Sequence, residues 1–382
     1  MRPHADTPVL LIGYGYASRV LHAPLIAQTP GLRLAAAISS SADKVQADWP
    51  GLPVFSTLDQ AFEDLPSWAG ASGSAGAGAG AHPDDSATGS VLAVIATPNE
   101  THAALASRAL RRGCHVVVDK PFTVTLAQAR ALCTEAVQHQ RLLSVFHNRR
   151  WDGDFLALQS AIAAGEVGPV HLLQSRFDRF RPQIRPRWRE QAVPGGGIWC
   201  DLGPHLIDQA LVLFGLPDAV QANIRTLRPG AVVDDHFDVT LLYPHCTVQL
   251  GASMLLAGGL PRFAVHGARG SWVKTGLDGQ ETRLLGQPAG PETLIQVDGN
   301  GTTTTLPLPA GDYPHYYRAL VAALQDNGCN PVSALEACAV MAVLDAGQRA
   351  AQSGQRAVPD FIPEERAVFR PRGWAAMPQT HA

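Results

Sequence analysis

The sequence lacks the clustered cysteines and long apolar segments that mark several classes of protein. Its six cysteines are dispersed along 382 residues without a Cys-x-x-Cys pair, which argues against a cysteine-built zinc site or a thioredoxin-type site. No apolar run approaches the roughly 20 residues needed to cross a bilayer. The first residues also lack the apolar core and cleavage site of a secretory signal. We therefore expect reduced thiols and a cytoplasmic protein.

Charge is also sparse in this sequence. Charged residues make up 16% of the chain and the formal net charge is -3, so there is no electrostatic argument for nucleic acid or an anionic membrane as the main partner. Hydrophobic residues make up 46%, which suits a soluble globular protein with large cores. The length is sufficient for two domains.

Short apolar segments alternate with helix-compatible segments in the first half of the chain. Buried strands are indicated by PVLLIG, LRLAAAI, VLAVIAT, HVVVD and LLSVF. This alternation predicts βαβ units and a parallel sheet, so we expect an α/β, NAD(P)-binding Rossmann domain over residues 1–147. Residues 70–90 are rich in Gly, Ala and Ser and are expected to form a flexible surface insertion.

The pattern changes after residue 151. Longer strand-like segments with alternating apolar and polar residues predict an open, mostly antiparallel sheet, interrupted by a helix near 201–214. Further helices are expected at 314–325 and 333–352, and the last could pack back on the first domain. We expect residues 148–382 to form an α+β domain that binds substrate and mediates oligomerisation.

A glycine-rich turn follows the first predicted strand. In LLIGYGYASRV, Gly13 and Gly15 lie between a strand and a helix-compatible segment. The first glycine allows a tight turn, and the second lets the backbone approach a pyrophosphate at the helix N-terminus. Tyr16 and Ala17 complete this candidate cofactor loop, and Ser18 stands where the fingerprint usually has glycine or alanine. The strand–turn–helix context favours a dinucleotide site over an ordinary turn.

The end of the second strand bears on the choice of cofactor. NAD-binding folds usually place a carboxylate there, hydrogen-bonded to the ribose 2′-hydroxyl. The segment AAAISSSADK offers hydroxyls and a cation instead, from Ser39, Ser40, Ser41 and Lys44. These groups suit a 2′-phosphate and favour NADP, with NAD as the alternative. The serines could instead cap the next helix while Lys44 stays solvated.

A lysine follows the buried strand HVVVD. Ligands of open α/β sheets lie beyond the carboxyl ends of the strands, where the sequence places Thr97-Pro98-Asn99 and Asp119-Lys120-Pro121. The residue before a proline is biased toward extended backbone, so Lys120 is expected to project from the strand end. We expect both segments, together with the nearby His102, to face the cofactor.

A second candidate site lies in PGGGIWCDLGPHLIDQ. Asp201, His205 and Asp208 fall at i, i+4 and i+7, on one face of the predicted helix. The carboxylate and imidazole could enter a substrate cleft, or they could cap the helix and be satisfied in the core. Metal ligation is another possibility of this spacing, but no further ligand of clear spacing is present besides Asp208, so we predict no metal site.

Together these motifs resemble the Gfo/Idh/MocA family of oxidoreductases. Its hallmark is Glu-Lys-Pro at the end of a Rossmann strand and Asp-x-x-x-His on a helix of the second domain, here Asp119-Lys120-Pro121 and Asp201-x-x-x-His205. The resemblance covers nearly the whole chain apart from 70–90, and it is strongest to the subgroup with NADP-dependent scyllo-inositol dehydrogenases. Asp119 in place of glutamate and Ser18 in the phosphate loop depart from the family pattern.

The resemblance implies hydride transfer between a nicotinamide cofactor and a secondary alcohol or ketone of a cyclic polyol or sugar. It implies that His205 accepts the hydroxyl proton and that Lys120 stabilises the developing alkoxide. Asp201 would hold the substrate or orient the imidazole. Contacts to nicotinamide or substrate are implied for Asn148, Arg149, Arg187 and Trp188. Structural packing or solvated charge is the alternative for these four residues.

Two alternatives to a polyol or sugar dehydrogenase use the same fold. One is an NAD(P)-binding regulator or sensor without turnover, which would be expected to lack the Lys and Asp/His set. The other is an enzyme for an imine, enone or bile-pigment-like substrate, which loss of His205 with retention of Lys120 would have favoured. An exposed sheet face in the second domain is expected to form a homodimer or a higher homo-oligomer.

Overall fold

The computed structural model describes residues 6–69, 91–326 and 328–369; the predicted insertion at 70–90 lies outside them. The chain divides into two compact units. Unit 1 consists of Met1–Thr123, Ala127–Phe146 and Tyr313–Ala334. Unit 2 consists of Val124–Leu126, His147–Asp312 and Leu335–Ala382.

Unit 1 contains a six-stranded sheet in the order β3-β2-β1-β4-β5-β6, with every neighbouring pair parallel. Its strands are β1 Thr7–Ile12, β2 Leu32–Ile38, β3 Val54–Phe55, β4 Leu92–Ile95, β5 His115–Val118 and β6 Leu143–Val145. Strands β1, β4 and β5 carry continuous apolar runs that are buried throughout their centres, because helices cover both faces of such a sheet. The predicted parallel Rossmann sheet is confirmed.

Unit 2 contains an eight-stranded sheet in the order β14-β13-β12-β11-β7-β10-β9-β8. Its strands are β7 Val170–Arg176, β8 Ala219–Arg225, β9 His236–Leu242, β10 Thr247–Ser253, β11 Phe263–Gly267, β12 Gly270–Thr275, β13 Thr293–Asp298 and β14 Thr303–Thr305. Only β7 and β10 pair in parallel. The predicted mostly antiparallel sheet is confirmed.

Among the described residues the α-helices are, in chain order, α1 Ala23–Ala27, α2 Ala42–Asp48, α3 Leu58–Glu63, α4 Leu65–Ala69, α5 His102–Arg111, α6 Leu126–Gln138, α7 Gly153–Ala163, α8 Ile198–Phe214, α9 Gln280–Leu284, α10 Pro314–Gln325, α11 Ala334–Ser353 and α12 Pro363–Val368. A π-helical turn, Ser18–His22, leads into α1. Within the part of the chain that the structure describes, no helix has the length and apolar character to span a membrane.

Helix α10 belongs to unit 1, although it lies far along the chain. Its Tyr317 hydroxyl lies 2.6 Å from Nδ1 of His22, and its Tyr316 hydroxyl lies 2.7 Å from Oγ of Ser144 in β6. Both tyrosines also pack against the Phe146 ring. Through these contacts α10 packs on residues of unit 1 that include Phe146, next to the carboxyl end of β6. The next helix, α11, belongs to unit 2.

Residues alternate between two faces along the strands of the second sheet. In β9, Phe237, Val239 and Leu241 are buried, while the residues between them are partly or fully exposed. Helix α8 packs on the buried face, where the Trp199 ring meets Phe237 edge-on at 4.9 Å between centroids. The period-two pattern therefore positions α8, the helix that carries Asp201 and His205, against the sheet of unit 2.

Candidate active site

The glycine-rich turn of unit 1 has a backbone that only glycine adopts easily at its first position. Gly13 has φ of +91°, and a Cβ there would collide with the carbonyl oxygen of Ala96 and the methyl group of Thr97. A Cβ at Gly15 would meet no atom within 4 Å. The first glycine is thus required by the turn, and the second lies beside space that a ligand can enter.

Ser18, the departure from the dinucleotide fingerprint, has a structural function in this turn. Its hydroxyl donates a hydrogen bond of 2.7 Å to the Gly13 carbonyl, and the side chain is fully buried. The hydroxyl ties the first helical turn to the end of β1. Glycine or alanine could not make this bond, so serine stabilises the same loop by another route.

A tyrosine and an arginine anchor the same loop from outside. The Tyr14 hydroxyl donates to Asp48 at 2.9 Å, and Nε of Arg19 lies 2.7 Å from the same carboxylate. Burial, followed by the hydrogen bond to Asp48, raises the pKa of Tyr14 to about 12. Sequence reasoning missed Asp48, which lies 34 residues from Tyr14 with no local signal.

The three serines after β2 are not equivalent. The Ser39 hydroxyl accepts the backbone N–H of Ser41 at 3.0 Å, so Ser39 shapes the entry to α2. Ser40 and Lys44 are exposed, and within the described residues neither side chain has a hydrogen-bond or ion-pair partner. Ser39 thus stabilises the turn before α2 and does not cap the helix, whose N-cap residue Ser41 makes no side-chain cap hydrogen bond. The hydroxyl of Ser40 and the ammonium of Lys44 are available to a ligand.

An imidazole links the ends of β4 and β5. Nε2 of His102 lies 3.0 Å from the Thr97 carbonyl, and Nδ1 lies 3.0 Å from the Pro121 carbonyl. The Thr97 hydroxyl lies 2.6 Å from that of Thr101. His102 is buried, so its observed function is to hold together the two segments predicted to face the cofactor.

Asp119 and Lys120 follow β5 directly. The Asp119 carboxylate is buried and accepts the backbone N–H of Lys120 at 2.7 Å. The peptide bond from Lys120 to Pro121 is cis. Asp119 therefore fixes the backbone that carries the lysine, a function that the shorter aspartate performs through an adjacent amide. Asn99, at the end of β4, is also buried.

In unit 2, a remote carboxylate caps the N-terminus of α8. Asp234 accepts the backbone N–H of Trp199 at 2.6 Å. Gly197, the residue before the helix, has φ of +89°, and a Cβ there would collide with the Asp234 carboxylate. Burial raises the pKa of Asp234 to about 6. The glycine-rich segment before α8 thus allows a side chain from another loop to reach the helix end.

Asp201 and His205 lie on the first two turns of α8. Nε of Arg189 lies 3.2 Å from the Asp201 carboxylate, and the Arg189 guanidinium stacks over the Trp188 ring at 4.5 Å. His205 is only 5% exposed, and its Nδ1 is enclosed. The structure thus brings Trp188 together with Asp201 through Arg189, while Arg187 pairs with Glu190 at 2.8 Å.

The residues after β6 contain an ordered arginine and an enclosed amide. Arg149 pairs with Glu281 at 2.9 Å and with Asp152 at 3.3 Å, and it stacks on the Phe177 ring at 4.8 Å. The Asn148 side chain is 4% exposed and makes no hydrogen bond within the described residues. Arg149 is held in place on several sides, and the Asn148 amide has unused hydrogen-bonding capacity.

Asp208, the third residue of the helical face, is engaged by an arginine. Its two oxygens lie 2.7 and 2.9 Å from the Arg150 guanidinium, and Glu336 of α11 accepts from the same arginine at 2.9 Å. No group of three or more potential metal ligands is found in the ranges that the structure describes. Asp208 therefore holds α8 against the segment 148–151 and α11.

The comparisons with known proteins agree in fold and class. A model of the oxidoreductase family with an NAD-binding Rossmann fold matches residues 8–147, and a model of the GFO/IDH/MocA C-terminal domain matches residues 155–273. The chain is 48% identical over 354 residues to the uncharacterised oxidoreductase YdgJ of Escherichia coli strain K12, covering 90% of this chain and 95% of that protein.

Two further relatives extend the comparison. The chain is 31% identical over 366 residues to the scyllo-inositol 2-dehydrogenase (NADP(+)) IolW of Bacillus subtilis strain 168, covering 92% of this chain and 96% of that protein. The crystal structure of a protein from Klebsiella pneumoniae superimposes with a TM-score of 0.81 at 42% identity, covering 96% of this chain and 98% of that chain. The similarity thus extends over nearly the whole length of each of these proteins.

Proposed function

The chain belongs to the Gfo/Idh/MocA family of oxidoreductases, and we propose that it is an NADP-dependent enzyme for the secondary alcohol or ketone of a cyclic polyol or sugar. The observation that carries this proposal is the Asp201–His205 pair at the capped start of α8. A relative named as an NADP-dependent scyllo-inositol dehydrogenase supports the substrate class. A regulator without turnover would be expected to lack Lys120, Asp201 and His205, and the chain retains all three.

The residues of unit 1 fit a bound NADP. Gly13 forms the turn, and the open space at Gly15 leaves room for a pyrophosphate against the backbone. Ser40 and Lys44 are exposed at the end of β2, where they would hold the 2′-phosphate by a hydrogen bond and a charge interaction. An NAD-specific site would instead have a carboxylate at this end. NAD remains the alternative cofactor.

In the proposed reaction the substrate carbon exchanges a hydride with the cofactor, and the substrate oxygen exchanges a proton with a side chain of the protein. Bound NADP supplies the hydride acceptor or donor. His205 would take the proton of the substrate hydroxyl on Nε2, because its Nδ1 is enclosed by protein. Lys120 would stabilise negative charge on the substrate oxygen, and Asp119 holds the lysine backbone for that task. Asp201 would orient the substrate through its carboxylate. In the reducing direction His205 would return the proton.

Contacts to substrate are also proposed for the residues around this centre. Asn148 has an amide without a hydrogen-bond partner among the described residues, so it can bind a hydroxyl or carboxamide group. Arg149 and Trp188 are fixed by neighbouring side chains and would shape the pocket. Arg187 would contribute through its pair with Glu190. Each is a proposal that substitution can test.

A substrate panel tests the proposed function directly. Inositols, aldoses and keto-sugars would be assayed with NADP(H) and NAD(H) by nicotinamide absorbance. We expect turnover of at least one cyclic polyol or sugar with NADP(H), and its loss in Asp201→Asn. Binding of NADPH without turnover of any member would reject the polyol or sugar assignment. Turnover with NAD(H) alone would reject the cofactor assignment.

We also propose that the open face of the second sheet forms a homodimer. This face is polar: Gln174 donates to Gln249 at 2.8 Å, and Arg176 pairs with Asp178 and Asp238. Light scattering after gel filtration would give the mass in solution. Thr240→Arg on this face is expected to shift a dimer to monomer, and a wild-type protein that is monomeric at micromolar concentration would reject the proposal.

A further inference from the structure

Arginines are concentrated in one segment of unit 2. Residues 176–190, RFDRFRPQIRPRWRE, contain six arginines and two acidic residues. Sequence reasoning selected only Arg187 from this set. The two acidic residues cannot neutralise all six guanidinium groups, so the other arginines need counter-ions from elsewhere in the protein or from a ligand.

Both acidic residues of the segment are already paired. Asp178 accepts from Arg176 at 2.8 Å, and Glu190 lies 2.8 Å from Arg187 and 3.1 Å from Arg228. The nearby carboxylates are also taken, because Asp201 pairs with Arg189 at 3.2 Å and Glu281 pairs with Arg149 at 2.9 Å.

Of the six arginines, Arg179, Arg181 and Arg185 have no counter-ion among the described residues; Arg185 is exposed to solvent, whereas Arg179 and Arg181 are partly buried. Neither guanidinium has a hydrogen bond or an ion pair with any residue that the structure describes, although both side chains are only partly exposed. Burial, followed by repulsion from Arg149 and Arg187, lowers the pKa of Arg179. Burial, followed by repulsion from Arg179, Arg185 and Arg187, lowers the pKa of Arg181 to about 10. Two cations therefore lie in an environment that disfavours their charge.

The backbone that carries the two arginines is ordered. The N–H of Arg179 donates to the Ser253 carbonyl at 2.8 Å, and the N–H of Arg181 donates to the Met254 carbonyl at 2.7 Å. Phe180, between them, pairs with Leu255 in an isolated β-bridge. Both side chains therefore extend from an ordered backbone, so binding a ligand does not require ordering of the main chain.

Their location connects them to the proposed active site. The charges of Asp201, the first residue of the proposed catalytic pair, and of Glu281 attract Arg179. Each of these carboxylates makes its ion pair with another arginine, Arg189 or Arg149, so Arg179 has their attraction without a direct ion pair. An anion bound by Arg179 and Arg181 would lie close to a substrate that contacts Asp201.

We infer that Arg179 and Arg181 bind an anionic group of the substrate, so that the preferred substrate is a sugar acid or sugar phosphate and not a neutral polyol. Guanidinium groups bind carboxylate and phosphate oxygens with paired hydrogen bonds. The inference rests on the proposed function for its reaction and adds the charge of the substrate. It also gives these two arginines the counter-ion that the described residues do not provide.

Matched substrates and matched variants test the inference. The first substrate series is glucose, glucuronate and glucose 6-phosphate, and the second is myo-inositol and myo-inositol 1-phosphate. Each would be assayed with the wild type, Arg179→Gln and Arg181→Gln. Arg356→Gln, at an exposed arginine elsewhere in unit 2, is the control variant. We expect kcat/KM for an anionic member to exceed that of its neutral counterpart at least tenfold. Each site variant should lower that value about 10- to 100-fold, as expected for hydrogen bonds to a charged group. The control should leave it unchanged.

A titration independent of turnover separates this inference from the proposed function. Calorimetric binding of glucuronate and glucose 6-phosphate to the NADP-saturated protein should weaken in both site variants and persist in Arg356→Gln. Arginine-dependent binding without turnover would support the inference while the proposed reaction fails. Turnover of neutral sugars that is insensitive to both substitutions would overturn it. So would a loss of NADPH affinity in the variants with unchanged sugar preference, because the arginines would then bind the cofactor.

Discussion

The carboxylate of Asp234 accepts the backbone N–H of Trp199 at 2.6 Å and thereby caps the helix that carries Asp201 and His205. The two residues are 35 positions apart, so the cap depends on the folded sheet of unit 2. Gly197 makes room for this carboxylate. The position of the proposed catalytic pair therefore depends on Gly197 and Asp234, to which we assign no part in the chemistry.

Gly197→Ala tests this arrangement. An alanine at φ of +89° carries the usual cost of a left-handed backbone, about 1–3 kcal/mol, and its Cβ collides with Asp234. The matched control is Gly258→Ala, which has φ of +79° but open space around the added Cβ. We expect the free energy of unfolding, measured with urea, to fall by a further ~1–3 kcal/mol in Gly197→Ala relative to the control. An equal decrease in the free energy of unfolding in both variants would show that the Asp234 carboxylate can move away from the added Cβ at no measurable cost.

The buried pair of Arg150 and Asp208 should contribute more to stability than surface pairs do. Asp208→Asn leaves a buried guanidinium without its main counter-ion, and we expect the free energy of unfolding to fall by about 3–5 kcal/mol. The control is Asp345→Asn, whose partner Arg349 and own side chain are 46% and 49% exposed, with an expected loss of ~0.2–1 kcal/mol. Comparable losses in a chemical denaturation experiment would refute the structural importance of Arg150.

Asp152 should make the stability depend on pH. Burial raises its pKa to about 7, above the ordinary value of about 3.9. Between these values the folded protein binds the proton more tightly than the unfolded chain, so the free energy of unfolding contributed by this group falls as pH rises from ~4 to ~7. Asp152→Asn removes the titration. As pH rises from ~4 to ~7, the free energy of unfolding of Asp152→Asn should therefore increase relative to that of the wild type.

Denaturation curves at several pH values would check this expectation. Asp218→Asn, at an exposed aspartate of unit 2, controls for the general loss of a negative charge. The account of Asp152 is contradicted if the difference between its variant and the wild type is constant from pH 4 to 7.

Replacement of Ser40 should change the cofactor preference. Ser40→Asp places a carboxylate at the end of β2, where it would repel a 2′-phosphate and accept a hydrogen bond from a ribose 2′-hydroxyl. We expect the ratio of kcat/KM for NADP to that for NAD to fall at least tenfold. Ser40→Ala, the control without charge, should weaken NADP binding by only ~0.5–1.5 kcal/mol. If Ser40→Asp leaves this ratio unchanged, Ser40 does not contact the 2′-phosphate of the cofactor.

The sequence predicted well what depends on local patterns. Continuous apolar runs indicated five of the six strands of the parallel sheet, all but the two-residue β3, and alternating residues indicated a second, mostly antiparallel sheet; both sheets are confirmed. Helix α10 was predicted at 314–325 and is observed at Pro314–Gln325. These features follow from the periodicity of burial, which is determined within a few residues.

What depends on distant residues could not be predicted. The sequence placed the start of the helix that carries Asp201 and His205 near Asp201, whereas α8 begins at Ile198, because Asp234 from another loop caps it. The partner of Tyr14 in the phosphate loop is likewise remote. Asp119 had no explained function until its carboxylate was seen to accept the Lys120 N–H.

The central claim is that Lys120 and His205 act on one substrate in an NADP-dependent reaction. The most direct measurement is the rate of a single turnover of pre-bound NADPH, followed by nicotinamide absorbance, in Lys120→Met and His205→Asn, with NADPH affinity determined separately. We predict that each substitution slows the single turnover at least a hundredfold while NADPH affinity stays within about threefold of the wild type. A wild-type turnover rate in either variant would contradict the account.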